Sequence, residues 1–233
     1  MSNAILLASG LGSRMRPITN TIPKPLVTVN DVPLIETVID TLNRAGVNMI
    51  YVVVGYLSEQ FAYLPNKYKN VTIIYNKDYN IANNISSLYY AADKLAEGDC
   101  YICEADLYIP DTSILEQLPI KSCYYGRFVA GYSEDWVFEQ DTTGKITRVG
   151  KGGTDCYNMV GISYIKGSDA RTLAKKIKHC YQQDTYKNKF WDEVVDENLH
   201  ELELSVYPVS EGQIIEIDTV EELNNVRLSY SPE

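Results

Sequence analysis

A glycine-rich turn that carries positive charge follows the first apolar run of the chain. Residues 4–8 are apolar and lead into the sequence Ser9-Gly10-Leu11-Gly12-Ser13-Arg14. Glycine lets the backbone approach a ligand closely, and the exposed N–H groups of such a turn bind phosphate, while Arg14 and Arg16 add the charge that suits a polyphosphate. The spacing matches neither the Walker A motif nor Gly-x-Gly-x-x-Gly, and two glycines alone would equally fit an ordinary strand-to-loop turn.

Three acidic residues near strand ends are candidates for binding a metal ion. Asp106 follows the apolar run 100–105, so we expect it at the carboxyl edge of a parallel sheet, where α/β proteins bind ligands. Asp218 comes from a distant segment, and together with Asp106 it could hold one Mg²⁺, which prefers carboxylate and phosphate oxygens. Asp218 could equally cap the helix that begins near Thr219. Glu216 lies two residues earlier on a strand and should project to the same side as Asp218.

Four aromatic residues of the second half are candidates for the wall of a pocket. Aromatic faces with a nearby carboxylate, for which Glu216 or Asp192 is available, are typical of sites that bind organic cations. Each of these rings could equally belong to the hydrophobic core. The four residues are Trp136, Tyr164, Phe190 and Trp191.

Alternating strands and helices in the first half must position these groups. Continuous apolar runs are typical of strands buried on both faces of a parallel sheet, and a 3.6-residue apolar period predicts helices between them. The strands are expected at 4–8, 49–54, 71–75 and 100–105, helices at 34–45 and 86–95, and a helix or helix-turn at 58–68. This order predicts an α/β fold with a doubly wound, mostly parallel, Rossmann-like sheet.

The second half alternates short apolar runs with turn residues, which predicts antiparallel strands added to the same sheet. Ser168 is the expected N-cap of the first helix of this half. The strands are expected at 122–132, 136–140, 146–149, 157–164, 204–208 and 214–217, and the helices at 168–181, 191–198 and 219–228. No linker or repeat interrupts the sequence, so we expect a single domain over 1–233.

Composition excludes several classes of partner. The chain has 21 basic and 31 acidic side chains, a net charge of −10. The basic residues are not clustered as a nucleic-acid surface requires, so we expect no nucleic-acid partner. No run approaches the roughly 20 apolar residues of a membrane span and no export signal opens the chain, so we expect no membrane contact and a cytoplasmic location. Cys100 and Cys103 fall inside an apolar strand, which favours inert thiols over redox or metal use.

The sequence resembles the nucleotidyltransferases that activate sugar phosphates and related small phosphates. Among these it looks most like the bacterial CTP:phosphocholine cytidylyltransferases. The residues that carry the resemblance are Leu7-Ala8-Ser9-Gly10-Leu11-Gly12-Ser13-Arg14-Met15-Arg16-Pro17, Thr19, Pro23-Lys24-Pro25-Leu26, Val54-Gly55-Tyr56, Tyr75-Asn76-Lys77-Asp78-Tyr79, Asn83-Asn84-Ile85-Ser86-Ser87-Leu88, Glu104-Ala105-Asp106, Trp136, Phe190-Trp191-Asp192 and Glu216-Ile217-Asp218.

The resemblance implies a role for each group of candidate residues. Nucleotidyl transfer brings an anionic acceptor to an anionic α-phosphate, so the repulsion must be screened and the leaving pyrophosphate stabilised. Arg14 and the glycine turn would hold the outer phosphates. Lys24 lies between two prolines that predict an extended segment, and it would bridge the α-phosphate and the acceptor; a solvated surface lysine is the alternative. The expected nucleotide-binding residues are Ala8, Gly10, Gly12, Ser13, Gly55, Asn83, Asn84, Ser86 and Ser87, the last four recognising cytosine or capping a helix.

The expected reaction is a Mg²⁺-dependent transfer of CMP from CTP to phosphocholine. Residues 1–118 would bind the nucleotide and 119–233 the acceptor, with Trp136, Tyr164, Phe190, Trp191 and Glu216 around the acceptor. The closest alternative is the same transfer to 2-aminoethylphosphonate, whose primary ammonium would favour acceptors such as Glu134, Asp135 or Asp155. A sugar-1-phosphate nucleotidyltransferase and a catalytically inactive binding subunit are further alternatives. Retention of Arg14, Lys24, Asp106 and Asp218 disfavours the inactive subunit.

Overall fold

A seven-stranded sheet forms the centre of the molecule. The computed structural model describes residues 2–183 and 185–230, and these residues form eleven strands in all. In chain order the strands are β1 (Ser2–Ala8), β2 (Thr28–Val29), β3 (Val32–Pro33), β4 (Ile50–Val54), β5 (Val71–Tyr75), β6 (Asp99–Glu104), β7 (Leu107–Tyr108), β8 (Ser122–Gln140), β9 (Ile146–Ile165), β10 (Leu204–Pro208) and β11 (Ile215–Glu216).

The central sheet has the order β10-β8-β9-β6-β1-β4-β5. Strands β6, β1, β4 and β5 are parallel, whereas β9 runs antiparallel to both β6 and β8. The prediction of a doubly wound, mostly parallel sheet with antiparallel strands from the second half is therefore confirmed. One late strand differs from the prediction, because β10 pairs in parallel with β8.

Helices cover both faces of the sheet. Along β1, Ala4 and Leu6 pack into the core on one face, whereas Ile5 packs into the core on the other. This division explains the unbroken apolar run of β1, because neither face of the strand meets water. The helices are α1 (Leu34–Arg44), α2 (Leu64–Lys67), α3 (Ile85–Tyr90), α4 (Ala92–Leu95), α5 (Gly167–Tyr181), α6 (Trp191–Glu197) and α7 (Val220–Ser229).

Two helices begin or break where the sequence did not predict it. The expected helix 86–95 is divided at Ala91, although its apolar period continues across the break, so periodicity could not reveal a distortion of one residue. Ser168 is not an N-cap: α5 begins at Gly167, whose N–H donates to Asp99 Oδ1 at 2.7 Å. A carboxylate distant in sequence thus takes the place of the expected local cap.

Strands β8 and β9 correct the prediction of four short strands. Each is a single long strand, and the breaks expected within 122–140 and 146–164 are irregularities of one ladder, with shifts in register between Val129 and Tyr132 and between Ser133 and Trp136. The expected turn at Thr143-Gly144 is present and connects β8 to β9. Bulges let a strand bend while its pairing continues, which is why turn-forming residues occur inside these strands.

A two-stranded sheet lies outside the central one. Strand β11 pairs antiparallel with β7, and Glu216 is opposite Leu107. The expected strand 214–217 is therefore present but does not join the central sheet. Its pairing brings the chain around Glu216 beside the segment that follows β6. No helix among residues 2–183 and 185–230 is both long and apolar enough to cross a membrane.

Gly161 in β9 provides a test of this packing. Its φ is +79°, and a Cβ there would lie 2.9 Å from Leu107 Cδ2 and 3.3 Å from Glu104 Cβ. Gly46 has a similar φ of +75° but open space around it. We expect Gly161→Ala to lower the free energy of unfolding by about 1–3 kcal/mol more than Gly46→Ala, because only the former adds a clash to the shared backbone strain. Urea unfolding of both variants measures this difference, and equal losses would contradict the packing described for β9.

Candidate functional site

Two cavities meet at the carboxyl end of the parallel strands. The smaller, of about 270 Å³, lies against the glycine turn, and the larger, of about 790 Å³, extends towards β8, β9 and α6. Both are lined by the same four charged residues: Arg14, Lys24, Asp106 and Asp218. A ligand in one cavity and a ligand in the other would therefore meet at this cluster.

Lys24 is the centre of the cluster. It is only 7% exposed, and its Nζ lies 2.5 Å from Asp106 Oδ2 and 2.6 Å from Asp218 Oδ1. Burial alone would lower its pKa, but the ion pairs with Asp106 and Asp218 outweigh burial and raise the pKa of Lys24 above its ordinary value. The ammonium is therefore charged across the neutral range, as a group that screens phosphate repulsion must be.

The segment around Lys24 is not extended, which corrects that expectation. Pro23 is extended, but Lys24–Leu26 form a turn of 3₁₀ helix in which the Val27 N–H donates to the Lys24 carbonyl at 3.1 Å. The fixed φ of proline suits the first turn of a helix as well as an extended chain, so a flanking proline does not decide between them.

Asp218 faces the cluster because its neighbour caps α7. The Thr219 hydroxyl accepts the N–H of Glu222 at 3.2 Å, and the Glu222 carboxylate accepts the N–H of Thr219 in return at 2.8 Å. This capping box leaves the Asp218 carboxylate free to bind Lys24 and the Arg14 guanidinium, whose nitrogens lie 2.7 and 2.8 Å from its two oxygens. Asp218 is therefore not the N-cap of α7, and its binding of a metal ion stays a prediction.

Two further carboxylates add negative charge to the cluster. Glu104, Asp106 and Glu216 each place an oxygen within 4.8 Å of the others. The pKa of Glu216 is raised to about 7, mainly by loss of hydration and secondly by repulsion from Asp106 and Asp218. The pKa of Glu104 is raised as well, mainly by burial and secondly by repulsion from Glu216 and Asp106. The excess of carboxylates over cations fits a divalent cation, for which Asp106 and Asp218 offer oxygens that currently bind Lys24.

The glycine turn packs closely against Lys24 and Thr19. Gly12 has a φ of +60°, and a Cβ there would lie 3.0 Å from Lys24 Cβ and 3.1 Å from Thr19 Cγ2. The Thr19 hydroxyl also donates to the Gly12 carbonyl at 2.8 Å. Gly12 therefore permits the close contact between the turn and Lys24. The predicted nucleotide-binding residues that line the smaller cavity are Ala8, Gly10, Gly12 and Ser13.

Most of the other predicted nucleotide-binding residues do not line either cavity. Ser86 and Ser87 are each 1% exposed, and their hydroxyls belong to a buried hydrogen-bond network. Asn76 Nδ2 donates to Ser86 Oγ at 2.8 Å, and Ser87 Oγ lies 2.6 Å from Ser9 Oγ. The Asn83 amide donates to the Asn188 carbonyl at 3.1 Å. These groups hold the loop before α3 in place, which the sequence could not distinguish from base recognition.

Asn84 and Gly55 have different surroundings. Asn84 lines the larger cavity, and its Oδ1 accepts the N–H of Trp191 at 3.0 Å. Gly55 allows a side chain to pack closely, since a Cβ there would lie 2.5 Å from Tyr79 Cβ. Asn84 is therefore the member of the 83–87 group that the structure brings to the candidate site.

The larger cavity contains two of the four predicted aromatic residues. Trp136 and Phe190 meet edge to face, with ring centroids 5.4 Å apart, and both line the cavity with Glu216. Asp192 lies beside them; it is buried, and the Tyr124 hydroxyl donates to its Oδ1 at 3.1 Å. Burial raises the pKa of Asp192 to about 7, and the Tyr124 hydrogen bond opposes part of that rise.

Trp191 and Tyr164 are core residues, which corrects their placement at the acceptor wall. Trp191 is 4% exposed and stacks on Tyr124, with centroids 5.6 Å apart. Tyr164 is fully buried in β9, and its hydroxyl donates to Asp99 Oδ2 at 2.8 Å, at the opposite end of β6 from Asp106. Apolar aromatic residues at regular spacing do not reveal which of them reach a cavity.

Sequence analysis missed two residues of the site. Glu104 belongs to the carboxylate cluster, and the strand period could have revealed it, because it lies two residues before Asp106. Asn158 lines the larger cavity from the middle of β9, and no local sequence signal identified it. Of the suggested ammonium acceptors, Glu134 and Asp135 line this cavity, whereas the Asp155 side chain accepts the N–H of Gly131 at 2.8 Å.

The five cysteines are all buried free thiols. Burial raises the pKa of both Cys100 and Cys103, which disfavours the thiolate that redox chemistry and metal binding require. The chemistry of the site therefore rests on its carboxylates and on Lys24 and Arg14.

The chain belongs to the family of MobA-like NTP transferases. The model of the MobA-like NTP transferase domain matches residues 4–135, more than half of the chain. The resemblance to nucleotidyltransferases, and the expectation that the chain is an enzyme of this class, are thereby confirmed.

Two relatives and one solved structure are similar to this chain over almost its whole length. The 2-aminoethylphosphonate cytidylyltransferase of Lancefieldella rimae is 51% identical, covering 95% of this chain and 90% of the relative. The choline-phosphate cytidylyltransferase of Streptococcus pneumoniae is 33% identical, covering 94% of both chains. A solved structure of CTP:phosphocholine cytidylyltransferase from Streptococcus pneumoniae superposes with a TM-score of 0.89 at 32% identity, covering 98% of both chains.

We expect Lys24→Met to lower kcat by about 10²–10³ while changing the KM for the nucleotide much less. The charge of Lys24 matters most when two phosphates converge, so its loss should weaken the transition state more than the ground state. Steady-state kinetics measure both constants. Lys121→Met is the matched control, since it removes an exposed ion pair with Glu203. A rise in the nucleotide KM with unchanged kcat would instead make Lys24 a ground-state binding group.

Proposed function

We propose that this protein transfers CMP from CTP to 2-aminoethylphosphonate. The relative at 51% identity supports this acceptor over phosphocholine, which the sequence patterns alone favoured. The observation that carries the proposal is the lining of the larger cavity, where carboxylates outnumber aromatic rings. Two lining residues are aromatic, Trp136 and Phe190, whereas Glu134, Asp135 and Asp192 offer oxygens to an N–H donor.

The smaller cavity suits the triphosphate. The N–H groups of the turn at Gly10–Ser13 and the guanidinium of Arg14 would hold the outer phosphates, which places the α-phosphate towards Lys24. A phosphonate oxygen of the acceptor attacks the α-phosphorus, the bond from that phosphorus to the bridging oxygen breaks, and pyrophosphate leaves. Lys24 offsets the negative charge of both reactants at their point of contact.

A divalent cation such as Mg²⁺ fits the same cluster. Asp106 and Asp218, which both contact Lys24 Nζ, would hold it, with Glu216 close to Asp106, and when bound it would supply Lewis-acid charge at the α-phosphate. Arg14 and Lys24, now paired with these carboxylates, would then be free to bind phosphate oxygens.

The larger cavity suits a short zwitterion with a primary ammonium. Such an ammonium carries three N–H donors and a full charge, which carboxylates satisfy better than ring faces. Asp192 is the buried carboxylate of this cavity, and Trp136 and Phe190 can cover the carbon chain beside it. We propose Asp192 as the principal charge partner of the acceptor.

Phosphocholine is the second candidate acceptor. The relative at 33% identity and the structure with a TM-score of 0.89 support it. The pair of rings formed by Trp136 and Phe190 could contact a trimethylammonium group, with roughly 0.5–2 kcal/mol from each cation–π contact.

A panel of acceptors distinguishes the candidates. With CTP and Mg²⁺, we expect kcat/KM for 2-aminoethylphosphonate to exceed that for phosphocholine by about tenfold or more, because the carboxylates bind N–H donors that choline lacks. Pyrophosphate release measures each rate, and the Asp106→Asn variant provides the background. A preference for phosphocholine would favour the second candidate, and turnover of glucose-1-phosphate alone would contradict both.

The pKa of Asp192 predicts a pH dependence of acceptor use. Its carboxyl group has a pKa of about 7, raised from the ordinary value, so it gains a proton as the pH falls through 7 and loses the charge that attracts an ammonium. We expect kcat/KM for the acceptor to fall by about tenfold per pH unit below this point in the wild type.

The Asp192→Asn variant separates this effect from other titrations. It should have a lower kcat/KM for the acceptor at pH 8 and a flatter profile below pH 7, while ionisation of the phosphonate affects both proteins alike. The ratio of the two profiles isolates Asp192. A ratio that does not change with pH would remove Asp192 as the charge partner.

A further inference from the structure

Asn158 is a buried amide whose hydrogen bonding is incomplete. It is 5% exposed and lines the larger cavity from β9. Its Nδ2 donates to Ser133 Oγ and to Asp135 Oδ2, both at 2.9 Å. Its Oδ1 is buried and accepts no hydrogen bond from any residue that the structure describes. An acceptor atom buried without a donor destabilises the site until a donor reaches it.

Asp135 determines which way the amide is turned. A carboxylate offers only acceptor oxygens, so the amide must direct its N–H₂ towards Asp135. If the amide were turned over, Asn158 Oδ1 would face the Asp135 carboxylate oxygen, and the two acceptors would repel. The two N–H groups are used by Asp135 and Ser133. The unused group of Asn158 is therefore an acceptor and not a donor.

The surroundings of Asn158 are those of the proposed acceptor site. In the ladder between β8 and β9, Asn158 is opposite both Arg127 and Val137, the latter being the residue next to Trp136. Asn158, Asp135, Trp136 and Asp192 all line the same cavity.

We propose that Asn158 determines the specificity for the acceptor by accepting an N–H of its primary ammonium. This inference rests on the proposed function and goes further, because it assigns the choice between ammonium groups to one side chain. A primary ammonium can supply the missing donor to Oδ1, and a trimethylammonium group cannot. A site that leaves a buried acceptor unpaired discriminates against the ligand that lacks the matching donor.

A series of acceptors with increasing N-methylation tests the proposal. 2-Aminoethylphosphonate and its mono-, di- and trimethylated forms keep the phosphonate constant while N–H donors are removed one at a time. In the wild type, we expect KM to rise along the series and to be highest for the trimethyl compound. In Asn158→Leu, we expect KM for the primary amine to rise by about 10- to 100-fold, with a change of about threefold or less for the trimethyl compound.

Two further variants control for a loss of protein stability and for a change in the orientation of the Asn158 amide. Asn158→Ser lacks the amide oxygen but keeps a polar group at this position, so it should lose the same discrimination at a melting temperature closer to the wild type than that of Asn158→Leu. Ser133→Ala is the control, because it removes the Ser133 hydroxyl that accepts from the amide and from the Asp135 N–H, and it leaves the contact of the amide with the Asp135 carboxylate that fixes its orientation. We expect Ser133→Ala to keep the wild-type ratio of KM values within about threefold.

The outcomes separate this inference from the proposed function. If the wild type prefers the primary amine and the Asn158 variants weaken all four acceptors equally, Asn158 is only structural and the inference is overturned, while the proposed function stands. If the wild type uses none of the phosphonates with CTP, the proposed function itself fails. A loss confined to acceptors that carry N–H donors supports the inference.

Discussion

The ion pairs of one buried lysine join the two halves of the candidate site. Lys24 Nζ contacts Asp106, which follows the central strand β6, and Asp218, which precedes the last helix. Glu104 and Glu216 add carboxylates beside this pair. Without a cation among them, these acidic groups would repel one another strongly in a partly buried site. The tight turn at Gly12, the pairing of β7 with β11 and the cap of α7 all serve to bring these charges together.

Under the proposed function, the position of this cluster would let one enzyme bring two anions into contact. The smaller cavity adjoins the glycine turn and the larger one extends along β8, β9 and α6, yet both reach Arg14, Lys24, Asp106 and Asp218. The negative net charge of the chain does not by itself prevent the binding of anions, because Arg14 and Lys24 both lie where the two cavities meet. Differences between relatives in the acceptor can then arise in the larger cavity, with the phosphate chemistry unchanged.

The sequence predicted the parallel strands and Asp106 from local pattern, whereas the role of Lys24 was predicted from the resemblance to a family. Buried strands have continuous apolar runs, and Asp106 follows such a run directly. The long strands β8 and β9 were not predicted, because bulges and turns use the same residue types. Tyr164 and Trp191 were wrongly predicted to line the acceptor site for a related reason. Whether a ring reaches a cavity or packs in the core depends on residues distant in sequence, such as Asp99 for Tyr164 and Tyr124 for Trp191. The amide oxygen of Asn158 is left unpaired because Asp135 and Ser133 on the neighbouring strand fix the orientation of the amide, and no local sequence pattern shows this arrangement.

The most direct measurement of whether Lys24 contacts both substrates is an NMR titration of its side chain. The ¹⁵Nζ signals of the lysines can be recorded in the wild type, and the Lys24 signal is the one lost in Lys24→Met. α,β-Methylene-CTP with Mg²⁺ and 2-aminoethylphosphonate are added separately and then together. We expect each ligand alone to shift the Lys24 signal and both together to shift it further, with Lys121 unchanged. A Lys24 signal that responds to the nucleotide and not to the acceptor would contradict a shared cluster at the junction of the two cavities.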